Sequence, residues 1–258
     1  MPVSVPLPAA FLGAPIAHRG FHDKTAGRPE NSRAAIRAAM AAGYGIEMDI
    51  QPSGDFVPMV FHDYDLRRLT GQAGRVRGHS AETLGRIALI GGPDGIPTLA
   101  EVLEIVGGKV PLLIEVKDQD GAMGPDVGPL EQAICDTVAQ YAGPVALMSF
   151  NPHSVALLAK LAPDIPRGLV TSAFSADDWP LLPGNARDHL RGIPDYQRTG
   201  ACFISHEAKD LGRPRVAELK AQGADVLCWT IRSTEAEAEA RKIAQNITFE
   251  NYPAVIPA

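Results

Sequence analysis

Short apolar runs rich in β-forming residues alternate with Ala- and Leu-rich segments of helical period along most of this 258-residue chain. The apolar runs fall at 14–18, 44–50, 110–116, 145–150, 167–171, 202–206, 225–230 and 246–250, and helix patterns lie at 32–42, 98–106, 130–141, 152–161, 214–222 and 234–244. A strand that is apolar along its length is covered on both faces, and helices between such strands supply the crossovers that parallel neighbours need. Eight strands of this kind predict an α/β fold, a (β/α)8 TIM barrel, although an open doubly wound sheet would share the pattern. The helix between the sixth and seventh strands is the weakest in pattern.

One run breaks the alternation. "FVPMVFHD" follows "IEMDI" after only "QPSGD", too short a link for a parallel crossover, so it must return as a hairpin turned by Ser53, Gly54 and Asp55. A turn centred on Gly54 and Asp55 sets His62 opposite Glu47, to within about two residues. The Arg- and Gly-rich stretch of about 64–97 then makes an insertion above the barrel before "PTLAEVLEIVG" resumes as helix. No repeat or low-complexity tract interrupts this order, which predicts one domain over residues 1–258.

The polar exceptions gather at strand ends. "AHRG", "IEMDI" and "LIEVK" each place charged residues near the C-terminal end of an apolar strand, the end where barrels of this kind build active sites. Glu47 and Asp49 share a side because strand side chains alternate with period two, and Glu115 joins them from the adjacent strand. Three hard oxygen donors with no softer partner suit Mg2+ or Ca2+ better than zinc. His18, Arg19, His62 and Lys117 ring the same place, which suits an anionic substrate that needs proton transfer. Taken singly, His18 could be a satisfied core histidine and Glu47 with Arg19 a buried ion pair.

Bulk properties narrow the partner. A net charge of −6 and a pI near 5.6 give no general attraction to nucleic acid or anionic lipid, so phosphate recognition must be local and the partner a small molecule. Cys135, Cys202 and Cys228 form neither a metal-spaced pair nor an even disulfide set, which fits a reducing cytoplasm. The opening "MPVSVPLPAAFLGAPIA" carries Pro2, Pro6 and Pro8 and no early Lys or Arg, so it reads as an irregular arm into the first strand rather than a secretion signal. No run reaches the roughly 18 apolar residues of a membrane span. Oligomeric state is not readable.

The spaced set "AHRG...PENSRAA...GYGIEMDIQPSGD...PMVFHDYDLRRLTG...IPTLAEVLE...LLIEVK...SFNP...CWTI" resembles the glycerophosphodiester phosphodiesterases of the phospholipase C-like phosphodiesterase superfamily. The resemblance is densest from Ile16 to Lys117 and rests on the whole set rather than any one piece. It implies a hydrolase of glycerol and lipid metabolism that yields glycerol 3-phosphate and an alcohol. It further implies that His18 and His62 are an acid–base pair, that Arg19 and Lys117 contact phosphate, and that Glu47, Asp49 and Glu115 bind the divalent metal. On the same resemblance Glu30 of "PEN" positions the site, and Trp229 lies beside the glycerol, though a tryptophan is as readily core. Glu30 could equally begin a helix after Pro29.

Two departures from the family's pattern touch the edge of the site. Arg232 follows "CWTI" where an Asn is usual, and Glu250 stands in "ITFENYP" where an Asp is usual. Both bear on alcohol and glycerol specificity. His22, His79, His153, His189 and His206 have no partner legible in sequence, and "RVRGH" reads as a solvated basic face of the insertion. Other readings are a metal-dependent barrel lyase or aldolase acting on a phosphorylated sugar, with Lys117 as its only candidate lysine, and a non-catalytic phosphodiester-binding protein, which should have lost a His or a metal ligand.

Overall fold

The computed structural model describes residues 4–257. Its barrel strands, in chain order, are β1 (Ile16–Ala17), β2 (Gly45–Pro52), β4 (Leu112–Val116), β5 (Val145–Ser149), β6 (Arg167–Thr171), β7 (Phe203–Glu207), β8 (Asp225–Ile231) and β9 (Asn246–Phe249). All pair in parallel, and β1 closes the ring by pairing with both β2 and β9. The remaining strand, β3 (Pro58–Val60), returns antiparallel along β2. The closed ring decides for the (β/α)8 barrel over the open sheet. Outside it lie α1 (Arg33–Ala42), α2 (Arg67–Thr70), α3 (Ala81–Arg86), α4 (Leu99–Val106), α5 (Pro129–Val138), α6 (Pro152–Leu161), α7 (Gly184–Arg191), α8 (Pro214–Ala221) and α9 (Thr234–Ala240).

The alternation of side chains divides the core. Outward positions of the strands pack with Ile36, Val102, Ile134, Val155, Val216 and their neighbours from the helices. Inward positions form a floor of Leu113, Ala146, Val170, Phe203 and Leu227, into which the irregular arm inserts Leu7 and Phe11. Asn246 fixes that arm by donating to the carbonyls of Phe11 (2.7 Å) and Ala14 (2.8 Å). Continuing up the same row at two-residue steps, Leu113 gives way to Glu115 and then Lys117. The barrel is therefore apolar below and charged above, on one set of positions.

Caps explain the helix starts. Ser32 accepts from the Ala35 N–H, and Thr98 with Glu101 forms a capping box ahead of α4. Because α1 begins only at Arg33, Glu30 is not a first-turn acid. Helix α7 occupies a stretch to which the polarity pattern assigns no element; its "GNARDHLR" buries only Leu190, so it leaves no apolar stripe to read. The helix of weakest pattern, between the sixth and seventh barrel strands, forms as α8.

The hairpin pairs Ile50 with Val60, Gln51 with Met59 and Pro52 with Pro58. That register sets His62 level with Met48, one residue from the expected Glu47. The loop is longer than a two-residue turn: the Ser53 N–H bonds to the Val57 carbonyl, and Phe56 takes φ +60°. The insertion has a small core of its own, with Met59, Phe61, Leu66, Val76, Leu84 and Ile96 buried together. Helix α2, which carries Arg68, is thereby held beside the barrel mouth.

Candidate active site

The floor of the mouth is a cluster of carboxylates crossed by two cations. Register places Asp49 opposite Glu115 and Glu47 opposite Leu113, so β2 and β4 present Glu47, Asp49 and Glu115 to the barrel axis. All three are buried, and one oxygen from each lies within 4.8 Å of the others. Lys117 donates to Glu115 Oε1 at 2.6 Å and lies 2.8 Å from Asp49 Oδ1. Arg19 Nε lies 3.3 Å from Asp49 Oδ2, and the Arg19 backbone N–H donates to Glu47 Oε2 at 3.0 Å. Asn31 donates to Asp49 Oδ2 at 2.9 Å.

These neighbours set the protonation of the floor. Burial pushes the Glu47 carboxyl up, and the charges of Asp49 and Glu115 push it further, well above the usual range. Burial pushes Asp49 the same way, but Lys117, His62 and Arg19 overcome it and hold that carboxyl well below the usual range. With Lys117 and Arg19 beside the other two carboxylates, Glu47 favours its proton, which a divalent cation would displace, and three hard oxygens aimed at one point are a donor set suited to such a cation.

The loop after β1 explains why His-Arg-Gly stand together. Arg19 has φ +56° and Gly20 φ +77°, and a Cβ on Gly20 would lie 2.9 Å from the Ala35 carbonyl carbon. Only glycine fits under α1 at that point. Asn31, at φ +58°, donates its backbone N–H to the Arg19 carbonyl at 2.8 Å. Two non-glycine residues held left-handed beside one buried carboxylate mark a tightly determined site.

Each of the two histidines is held through Nδ1 by a carboxylate, and each carboxylate is held by an arginine. His18 donates to Glu250 Oε2 (2.6 Å), and Arg232 Nε donates to Glu250 Oε1 (2.8 Å). His62 donates to Asp63 Oδ1 (2.7 Å), and Arg68 grips both oxygens of Asp63 (2.6 and 2.8 Å). With Nδ1–H committed, Nε2 of each neutral ring is left as an acceptor. His18 Nε2 lies 3.9 Å from Glu47 Oε2. Burial pulls the His18 imidazole below its ordinary value, against the bond to Glu250.

A cavity of about 170 Å3 at the mouth is lined by His18, Arg19, Glu47, Asp49, His62, Glu115, Lys117 and Trp229, together with Phe150, Arg232 and other strand-end residues. Of the residues given a catalytic, substrate or metal role from sequence, Glu30 alone is outside the lining. It accepts from Arg19 Nη1 at 2.6 Å and from both terminal nitrogens of Arg68 at 2.8 Å. Trp229 is half-buried over the floor, donates to the Ser205 carbonyl at 3.0 Å and meets Phe150 edge to face at 5.6 Å.

Sequence reasoning missed Asn31, Asp63 and Arg68, and took Glu250 only as a departure at the site's edge. His22 has a partner after all, Glu250 at 3.4 Å, and buried His206 bonds Thr171 at 2.7 Å. His18, His22 and Glu250 also converge as possible ligands, but that carboxylate is already shared among two imidazoles and Arg232. Among the described residues no helix is long and apolar enough to cross a membrane.

Residues 18–250 match the glycerophosphoryl diester phosphodiesterase family. The Bacillus subtilis protein YhdW is 26% identical over 247 residues, covering 92% of this chain and 94% of its own. A glycerophosphodiester phosphodiesterase of Caldanaerobacter subterraneus is 30% identical over 175 residues, 64% of this chain and 69% of that one. Among solved structures, an Oleispira antarctica phosphodiesterase in complex with the product sn-glycerol-3-phosphate superposes with a TM-score of 0.76 at 25% identity, covering 95% of both chains. With the family matched from the His-Arg-Gly loop to Glu250, the chain belongs to the glycerophosphoryl diester phosphodiesterase family and is a phosphodiesterase of that family.

Proposed function

We propose that the chain hydrolyses small glycerophosphodiesters to glycerol 3-phosphate and an alcohol, with a divalent cation, Mg2+ or Ca2+, held by Glu47, Asp49 and Glu115. The observation that carries this reading is the convergence of that triad, two carboxylate-held histidines and two cations on one cavity. When bound, the cation orients the diester and lowers the pKa of the attacking hydroxyl, whether of water or of the substrate glycerol. Arg19 and Lys117 face the phosphoryl oxygens, Arg19 steered by Glu30. His62 takes the proton of the nucleophile. His18, entering the step as the imidazolium, gives its Nε2 proton to the departing alcohol, and Glu250 keeps the Nδ1 proton, so that the neutral ring is left with Nε2 as an acceptor. Trp229 supplies an apolar surface for the glycerol. We take the whole chain as one domain with the insertion at about 64–97, and three unpaired buried cysteines fit a reducing cytoplasm.

Incubation with glycerophosphocholine and assay for glycerol 3-phosphate and choline tests the reading. Release of both, lost on adding chelator and restored by Mg2+ or Ca2+, is the expected result. Binding without turnover would favour a phosphodiester-binding protein, and carbon–carbon cleavage or elimination of a phosphorylated sugar would favour a lyase.

A further inference from the structure

Four of the five cations or imidazoles that line the cavity are committed to the floor or to a carboxylate. Arg19 lies against Glu30 and Asp49, Lys117 against Asp49 and Glu115, His18 against Glu250 and His62 against Asp63. Arg232, just beyond β8, is different. Its side chain is 60% exposed, it lines the cavity, and only Nε is used, in the bond to Glu250. Its two terminal nitrogens make no hydrogen bond among the described residues. Glu250 bonds His18 with one oxygen and Arg232 with the other. One carboxylate therefore fixes the distance between a histidine Nε2 at the cavity and an open guanidinium edge at its rim. The uncharged remainder of the lining, from Met148 and Val170 to Ser205, Thr230 and Thr248, offers no further cation, so Arg232 is the one with open donors for a second negative group on the substrate.

We propose that Arg232 selects the departing alcohol: the preferred glycerophosphodiesters are those whose alcohol carries an anionic group, a carboxylate or a phosphate, a few bonds from the ester oxygen. This rests on the reading of His18 as the group beside that alcohol. With the departing oxygen accepting its proton from His18, the alcohol's next atoms run past Glu250 to Arg232, whose planar fork matches a carboxylate or phosphate with two parallel N–H donors. The diester's own charge is met by the floor, so the second charge is the one Arg232 reads. Beside it, Trp229, three residues earlier on β8, and Phe150 form an aromatic wall that would instead hold a quaternary ammonium.

The test compares three substrates at low ionic strength: the glycerophosphodiesters of glyceric acid and of glycerol, which differ by COO− for CH2OH, and glycerophosphocholine. We expect kcat/KM about tenfold higher for the glycerate diester than for the glycerol diester, with the advantage shrinking as salt screens the exposed charge. Arg232→Gln should bring that ratio to about one, and Arg232→Lys should keep part of it. The wild-type ratio and its salt response are read without any variant, so a misfolded variant does not remove the test. Turnover with no glycerate preference, a preference for choline, or a ratio unchanged in Arg232→Gln would each overturn the role of Arg232 alone. No turnover of any diester would overturn the reading of the site and this inference with it.

Discussion

The two sides of the barrel mouth use the same parts to different ends. On the β9 side, His18, Glu250 and Arg232 form one chain of contacts; on the hairpin side, His62, Asp63 and Arg68 form another. Both fix a ring through Nδ1 and turn Nε2 to the cavity. They differ in where the arginine's remaining donors go. Arg68 turns its terminal nitrogens inward to Glu30, which binds Arg19, so His62 and Arg19 belong to one closed network. Arg232 leaves its terminal nitrogens to the rim. The histidines differ too: the His18 side chain is 13% exposed and that of His62 33%. A device closed on itself positions, whereas one left open can also recognise.

The largest expected effect removes what both sides share. The carboxylate floor serves either histidine, so Glu47→Gln should lower turnover roughly a thousandfold with every diester. Stripping divalent metal with chelator should do likewise and should also lower the melting temperature, since bound metal stabilises by mass action and three emptied carboxylates repel. Full activity in chelator, with elemental analysis confirming no metal, would remove the floor from the chemistry.

Separating the two sides comes next. His18→Ala and His62→Ala should each lose about a hundredfold or more with an alkyl alcohol leaving, because a poor leaving group needs a proton as its bond to phosphorus breaks. With a nitrophenyl leaving group, His18→Ala should recover much of its rate and His62→Ala should not. The wild-type pH profile should be bell-shaped, with both limbs belonging to the coupled pair. Recovery of His62→Ala instead would exchange the two roles. Recovery of neither would end the acid–base division.

A smaller loss should follow from Arg19→Lys, at about tenfold in kcat/KM with kcat and KM both affected. A lysine ammonium can replace the charge but not the planar fork that now reaches Glu30 and Asp49 together. Wild-type kinetics would make Arg19 structural and leave the phosphate to Lys117.

Sequence alone revealed the parts governed by periodicity. Glu47 with Asp49, and Glu115 with Lys117, share a side because strands alternate, and their strands are neighbours in the ring although the hairpin, the insertion and α4 lie between them in sequence. What escaped was set by loops. Arg68 comes from the insertion and Glu30 from the loop before α1, and no spacing rule joins them across 38 positions. Glu250 and His18 meet only because the ring closes, β9 against β1, at a separation of 232. His62 falls one residue from its expected partner, inside the two-residue margin, and the offset comes from a loop with a left-handed Phe56, which no turn signature in "SGDF" announces. Helix α7 was invisible for want of an apolar stripe. Arg68 and Asp63 were in view within "HDYDLRR", yet as ordinary surface charges they gave no chemical signal until the insertion folded over the mouth.

The closed network makes a last, smaller prediction about stability. Burial pushes the Glu30 and Asp63 carboxyls up, but bonds from Arg68 to Glu30, and from His62 and Arg68 to Asp63, overcome it and hold both below their ordinary values. A carboxyl lowered on folding contributes stability that is present above its unfolded pKa, near 4, and lost as pH falls through the folded value. Arg68→Met removes one cause of both shifts. The variant should therefore be less stable than wild type by about 1 kcal/mol at pH 7, a modest figure because the Arg68 side chain is 48% exposed and water screens the pairs. The gap should narrow below about pH 4 and nearly close where both carboxyls are protonated. Thermal melts of the two proteins across that range measure it. A gap that stays constant with pH would mean that Arg68 acts through the packing of α2 alone. Arg232→Met, whose guanidinium holds a single carboxylate from the rim, should show a smaller gap at neutral pH, and equal gaps would erase the distinction between the closed side and the open one.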